Sequence, residues 1–380
     1  MTEIVRGRLV LDDEVVPGSV EIDGESINGV TRDESVSDSA PFITPGFVDV
    51  HVHGWGGHDA MGGTAALDGM ARALLRHGIT SFLPTAVTAP IEELHEFAAR
   101  VRSWMGAAPA DGAQPLGFNL EGPFLAPSRR GAHDPAFLIV PADVPEAAMS
   151  PLVENLRVIT IAPELPGALD LIAWLASRGA AVSVGHSGAT FEEARAGYSA
   201  GARSTTHLFN AMTGVEHRAP GLAVAALLND DAYVELVADG IHVNRALWPL
   251  ITRLKPEERL LLVSDAISLA GMGDGRARVG TLDVEVHGGR VTVVGTSTLA
   301  GSVLSLDVAV RNLVENGTAL PQAVAAASRN PLALLGVTDR GRIAEGQRSD
   351  LVELSPSLEV VRVMRAGSWL PQRGLVSHPD

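Results

Sequence analysis

The chain has 380 residues, 46% of them hydrophobic and 19% charged, with a formal net charge of −16 and no cysteine. That length and apolar content suit one large globular domain plus a small one. The lack of cysteine excludes disulfides and thiolate metal sites, and the acidic balance argues against a general nucleic-acid binder, although one or two arginines suffice to hold a small anion such as phosphate.

The N-terminal run MTEIVRGRLVLDDE lacks a basic segment followed by an apolar core, and no stretch of about 18 apolar residues occurs. The expectation is a cytoplasmic protein with no signal peptide, no membrane span and no membrane partner. The first forty-odd residues read as short β pieces with turn signals, EIVRGRLVL and GSVEIDGESINGV. The last ones, SDLVEL and LEVVRVMRAGSWL, read the same way. Neither end has enough apolar surface to fold alone, so both are expected to pair into one small β domain, a β-sandwich over residues 1–42 and 343–380. Between them, apolar strands alternate with helical stretches: FVDVHVH, GITSFLPT, LGFNLEG, LRVITIAPE, AAVSVGHSG, STTHLFNA, YVELVADGIHV and RLLLVSDAI. Among the spacers, TFEEARAGYSAGA opens on Thr190 and Glu193, a capping box. Eight such alternations predict an α/β fold, a (β/α)8 barrel over residues 43–342, with a doubly wound open sheet as the alternative. A β insertion, RVGTLDVEVHGGRVTVVG, follows the eighth strand.

Polar residues fall at the ends of these strands. In PGFVDVHVHGWGGHD, His51 and His53 are two apart and project from one face of a strand, with Asp49 one step earlier on that face. Neutral imidazoles so spaced can bind one divalent cation together, although a polar strand end with hydrogen-bonded histidines has the same spacing. Glu121 ends strand three, His186 strand five, His207 strand six and Asp265 strand eight. Alone, each reads as a hydrogen-bonded core histidine or a helix N-cap. Together, on the C-terminal strand ends that converge at a barrel's active-site face, they read as one constellation.

The segments PGFVDVHVHG, NLEGPFL…GAH, VGHSGAT, THLFNAM, HRAPG, VADGIHV and LVSDAI resemble the N-acetylglucosamine-6-phosphate deacetylases of the amidohydrolase superfamily over essentially the whole chain. The resemblance implies a distorted (β/α)8 barrel with a small β domain, a homodimer, and hydrolysis of the acetamide of a phosphorylated amino sugar. It implies that Glu121, His186 and His207 hold the main metal, that His51 and His53 hold a second one, and that Glu121 bridges them. One or two divalent cations per chain are therefore expected; nitrogen and oxygen ligands suit zinc first, with iron or manganese as alternatives. The resemblance also makes Asp265 the catalytic acid–base. It places His133, Asn210, Ala211, His217, Arg218 and His242 against substrate, with His242 ending strand seven and Arg218 acting on the phosphate across the dimer interface. Arg129 and Arg130 read either as a lid over the phosphate or as surface charge.

Other readings remain at this level. One is a deacetylase for another N-acyl amino sugar, such as the galactosamine epimer. Another is a non-catalytic sugar-phosphate-binding barrel, which would have no use for Asp265.

Overall fold

In the computed structural model, which describes residues 2–370, the eight apolar runs form parallel strands: Phe47–Val52, Ile79–Ala86, Phe118–Glu121, Leu156–Ile161, Ala181–Val184, Ser204–Thr205, Tyr233–Leu236 and Leu260–Leu262. They are hydrogen-bonded in that order and are called here barrel strands one to eight. Every residue of strands one and two is buried, as expected of parallel strands covered on both faces. The seam between strands eight and one is closed just past their ends. There Asp265 N–H donates to the His51 carbonyl at 2.9 Å and His53 N–H to the Ala266 carbonyl at 2.8 Å. The sheet is therefore a closed barrel, and the open doubly wound alternative is excluded.

The helices wrap the outside for reasons legible in their spacing. In Ile91–Met105, Leu94, Phe97, Ala98, Val101 and Trp104 are the buried residues, one stripe at helical period. Phe97 meets Phe118 of strand three edge-on at 5.7 Å, and Trp104 Nε1–H donates to Asp68 Oδ1 at 2.8 Å. Helix Phe191–Ser199 carries the expected capping box: Glu193 N–H donates to Thr190 Oγ1 at 3.2 Å, and Thr190 N–H to Glu193 Oε2 at 2.8 Å.

The insertion after strand eight is a three-stranded antiparallel sheet, Gly275–Val279, Leu282–His287 and Arg290–Val293. Its Val279, Val284, Val286 and Val291 pack with Val87 and Ile267 beside the C-terminal face of the barrel. The two chain ends form one seven-stranded sheet. Phe42–Pro45 pairs antiparallel with Leu351–Leu354 and parallel with Thr2–Val10, and this joins the ends. Val5, Leu9, Val20, Ile22, Ile43, Leu351 and Met364 form its own core. Of the expected C-terminal piece, residues 371–380 lie outside the described residues. Among the described residues, no helix is long and apolar enough to cross a membrane.

Candidate active site and metal centre

Glu121, the last residue of strand three, is 3% exposed, and five imidazoles surround its carboxylate. Its Oε1 lies 2.9 Å from His207 Nε2, 3.0 Å from His186 Nε2 and 3.6 Å from His51 Nε2. Its Oε2 lies 3.2 Å from both His53 Nε2 and His133 Nε2. Asp265 Oδ1 lies 3.3 Å from His53 Nε2 and 3.7 Å from His51 Nε2. The six residues placed on strand ends do converge at one mouth.

The chain reaches this mouth through unusual backbone. His186, His207 and Asp265 lie two to three residues past their strands and take φ of 47°, 27° and 52°; Phe209 and Ala211 take 75° and 48°. Left-handed backbone in non-glycine residues costs about 1–2 kcal/mol each and concentrates at functional sites. Local bonds hold it in place. Glu164 accepts from Ser187 Oγ at 2.7 Å and from the Gly188 N–H, pinning the turn after His186. Gly301, at φ 73°, lets backbone pass so close to Asp265 that a Cβ would sit 2.8 Å from its carbonyl oxygen.

For His51, His53 and His186 the second ring nitrogen shows what the first can do, whereas His207 Nδ1 is buried with no hydrogen-bond partner among the described residues. His51 Nδ1–H donates to Glu235 Oε2 at 3.0 Å, His53 Nδ1–H to the Thr85 carbonyl at 3.2 Å, and His186 Nδ1–H to the Arg129 carbonyl at 2.8 Å. A neutral imidazole that donates through Nδ1 keeps a lone pair on Nε2. Those lone pairs point at each other and at carboxylate oxygens. His51 and His53 Nε2 are 3.3 Å apart, and His186 and His207 Nε2 are 3.0 Å apart. Acceptors so close to acceptors are stable only around positive charge. The donor set, imidazole nitrogen and carboxylate oxygen without sulfur, fits a divalent cation of the zinc, iron or manganese type.

His133 differs. Its Nδ1 accepts from Thr88 N–H at 3.3 Å, so Nε2 carries the proton and donates to Glu121 Oε2. It is a donor aimed into the site, not a lone pair.

The electrostatics follow the same division. Burial alone would depress His53, but hydrogen bonds to Asp265 and Glu121 push it up to about 9. His51, likewise buried, is raised by Glu121 and Glu235. Burial wins at His186, which falls to about 4. Burial opposes ionisation of Glu121 and Asp265, yet the surrounding imidazoles hold both carboxyls below the ordinary range. The carboxylates thus generate a negative potential at the His51–His53 pair, which a proton or a metal can answer.

The mouth opens into a cavity of about 490 Å³, lined by His133, Asn210, Ala211 and His242 as well as His53, Glu121, His186, His207 and Asp265.

A sequence profile described as the amidohydrolase family matches residues 42–370. The chain belongs to the amidohydrolase family. An N-acetylgalactosamine-6-phosphate deacetylase of Escherichia coli O157:H7 is 36% identical over 97% of this chain and 99% of its own. An N-acetylglucosamine-6-phosphate deacetylase of Homo sapiens is 37% identical over 96% of this chain and 93% of its own. Among solved structures, the chain is similar to an aspartate-to-alanine mutant of the N-acetyl-D-glucosamine-6-phosphate deacetylase of Mycobacterium smegmatis, in complex with N-acetyl-D-glucosamine-6-phosphate. The TM-score is 0.90 at 36% identity, covering 97% of this chain and 99% of that one.

Not every expected residue of this amidohydrolase reaches the cavity. Strand seven stops at Leu236, so His242 does not end it. His242 sits in a turn closed by Asp239, whose Oδ1 accepts from Ile241 and His242 N–H and whose Oδ2 accepts from His242 Nδ1–H at 2.7 Å. The Asn210 side-chain amide donates to the His207 and Leu208 carbonyls of its own turn, at 3.2 and 3.1 Å. His217 and Arg218 do not line the cavity; they stand on the exposed loop of residues 214–219. Arg129 and Arg130 do line it. Glu235 gives no signal in the sequence because it lies within an apolar strand and its partner His51 is 184 residues away.

Proposed function

We infer that this amidohydrolase is a metal-dependent deacetylase that hydrolyses the acetamide of N-acetyl-D-glucosamine 6-phosphate to D-glucosamine 6-phosphate and acetate. The observation carrying this reading is the convergence of the Nε2 atoms of His51, His53, His186 and His207 on Glu121, beside the ionised carboxylate of Asp265, in a chain similar from end to end to amino-sugar-phosphate deacetylases.

A divalent cation held by these donors supplies Lewis acidity, lowering the pKa of water from about 15.7 toward about 7 and polarising a carbonyl. The protein does the rest. Asp265, kept ionised by His53 and His51 against the effect of burial, takes the proton from the attacking water. The water oxygen bonds to the acetyl carbon, the C–N bond breaks, and Asp265 returns the proton to the departing amine nitrogen, which leaves poorly without it. His133 directs an N–H into the site, suited to the developing oxyanion or a sugar oxygen. His242, with Nδ1–H committed to Asp239, turns its Nε2 toward Asp265 at 3.8 Å, where it accepts from a sugar hydroxyl.

For the phosphate, Arg129 and Arg130 are the arginines lining the cavity among the described residues. We read Arg218 as reaching the phosphate in a partner's site within a homodimer. Its exposed loop supports this, as do Leu228, Leu247, Leu250 and Leu254, large apolar side chains left exposed on the neighbouring helices Leu222–Leu228 and Trp248–Leu254 and the turn before the second. The resident metal in this reading is zinc. The location is cytoplasmic, where sugar phosphates are retained by their charge.

The Escherichia coli relative named for the galactosamine epimer favours a second reading, N-acetylgalactosamine 6-phosphate. Parallel assays on both epimers and on unphosphorylated N-acetylglucosamine decide between them. The inference predicts the highest kcat/KM on N-acetylglucosamine 6-phosphate; a higher value on the galactosamine epimer transfers the assignment.

A further inference from the structure

Among the buried acids that the mechanism leaves unused, one touches the ligand cluster from two sides. Glu235, on barrel strand seven, is 1% exposed and faces the barrel interior. A single oxygen, Oε2, takes two hydrogen bonds: from His51 Nδ1–H at 3.0 Å and from the backbone N–H of His207 at 3.0 Å. His51 belongs to the pair on strand one, and His207 to the group around Glu121 Oε1. The other oxygen, Oε1, is buried with no hydrogen-bond partner among the described residues. An ion this deep is unfavourable unless something compensates its charge, and no Lys or Arg pairs with Glu235 among the described ion pairs.

We propose that Glu235 is the positioning residue that builds the second cation half-site, orienting the His51 imidazole and strengthening it as a ligand while tying the His207 backbone to the same carboxylate. This rests on the metal-dependent reading above.

Two properties follow from the geometry. A carboxylate on Nδ1–H fixes the tautomer, leaves Nε2 free as a lone pair and makes the ring a stronger donor. The charge of Glu235 would also offset that of a second cation held through His51. In its absence, His51 and His53 at 3.3 Å would present two neutral rings to two positive charges with only Glu121 and Asp265 to balance them. The bond to His207 N–H does separate work, because His207 sits at φ 27°, where the backbone needs an external hold.

Because both donors meet at Oε2, two substitutions separate the functions. Glu235→Gln can keep its amide oxygen at that point, preserving both hydrogen bonds and removing only the charge. Glu235→Ala removes all three. Apo protein prepared by chelation, full-length and refilled with Co²⁺ alone, gives stoichiometry and affinity by calorimetry and a visible absorption band for each occupied site, without any turnover. Wild type should bind two Co²⁺ per chain. Glu235→Gln should weaken the His51–His53 site by about 10- to 100-fold and leave the Glu121–His186–His207 site within about threefold. Glu235→Ala should weaken both, with an altered band for the site that includes His207. If Glu235→Ala does not fold, as judged by its melting curve, Glu235→Gln carries the test alone. The proposal is overturned if wild type binds only one Co²⁺ at millimolar metal, or if Glu235→Gln binds both with wild-type affinity. It is also overturned if Glu235→Gln weakens both sites equally. None of these readings uses a sugar substrate, so failure here is distinguishable from failure of the deacetylase assignment.

Discussion

Asp265→Asn is the substitution that separates chemistry from architecture. Asp265 has φ 52°, and its carbonyl accepts from Ser302 N–H at 2.7 Å while its own N–H closes the barrel onto His51. Asparagine tolerates left-handed backbone about as well as aspartate, whereas alanine would add strain on the order of 1 kcal/mol. The fold and the phosphate contacts should therefore survive. What disappears is a carboxylate whose Oδ1 lies 3.3 Å from His53 Nε2 and whose Oδ2 lies 3.8 Å from His242 Nε2, placed between the ligand cluster and the substrate cavity. An amide neither takes a proton from water nor returns one to an amine at neutral pH. General acid–base groups contribute about 10²- to 10⁴-fold, equivalent to roughly 3–5 kcal/mol at about 1.36 kcal/mol per decade. In the proposed mechanism both half-reactions use this one carboxylate, so kcat for acetate release should fall by at least about 10²-fold, with KM within roughly tenfold of wild type. A melting temperature close to wild type would show that the loss is chemical. A wild-type kcat in Asp265→Asn would refute the assignment and move the base elsewhere.

Glu121→Gln should strip the main metal and abolish turnover, because an amide places an NH₂ against either the His186–His207 pair or the His53–His133 pair, each within 3.2 Å of one carboxylate oxygen; metal analysis that finds full occupancy and near-normal rate would contradict the ligand set. Arg218→Ala should raise KM for the phosphorylated sugar and narrow its advantage over N-acetylglucosamine, and in a dimer it should be complemented by mixing with Asp265→Asn, since each hybrid retains one intact site. Unchanged phosphate preference would remove Arg218 from the site. Metal-stripped protein should lose stability as pH rises: His53 has a folded pKa of about 9 against about 6.5 unfolded, so its contribution, on the order of 3 kcal/mol, is full below about 6.5 and gone above about 9. Metal-loaded protein lacks this term, and the difference between the two melting curves across that window isolates it; parallel curves would mean that the pair does not hold protons in the cation's place.

The barrel and most of its mouth were legible because they rest on local rules. Buried parallel strands are near-continuous apolar runs, and a polar residue closing such a run, as Glu121, His186, His207 and Asp265 do, stands out against it. The His51–His53 pair follows from the two-residue period of a strand. What stayed hidden depends on distant partners. Glu235 is embedded in YVEL and acquires meaning only opposite His51. Asp49, expected beside the two histidines, instead accepts from His51 and Ser264 N–H, and burial pushes it up to about 7. His242 was placed on a strand that stops six residues earlier, because the turn built by Asp239 is a matter of side-chain hydrogen bonds and not of pattern. The part assigned to Arg218 needs a second copy of the chain, and no residue pattern within one copy displays it.

The central claim is that this site hydrolyses a sugar acetamide with a cation held by His51, His53, Glu121, His186 and His207. The most direct test is acetate release from N-acetylglucosamine 6-phosphate, measured on protein as isolated, after removal of metal by chelator, and after restoring zinc or manganese. The account predicts acetate and glucosamine 6-phosphate in equal amounts, loss of both on chelation, and recovery on refilling. Hydrolysis that continues undiminished in rigorously metal-free protein, or no acetate from the refilled enzyme, would contradict it.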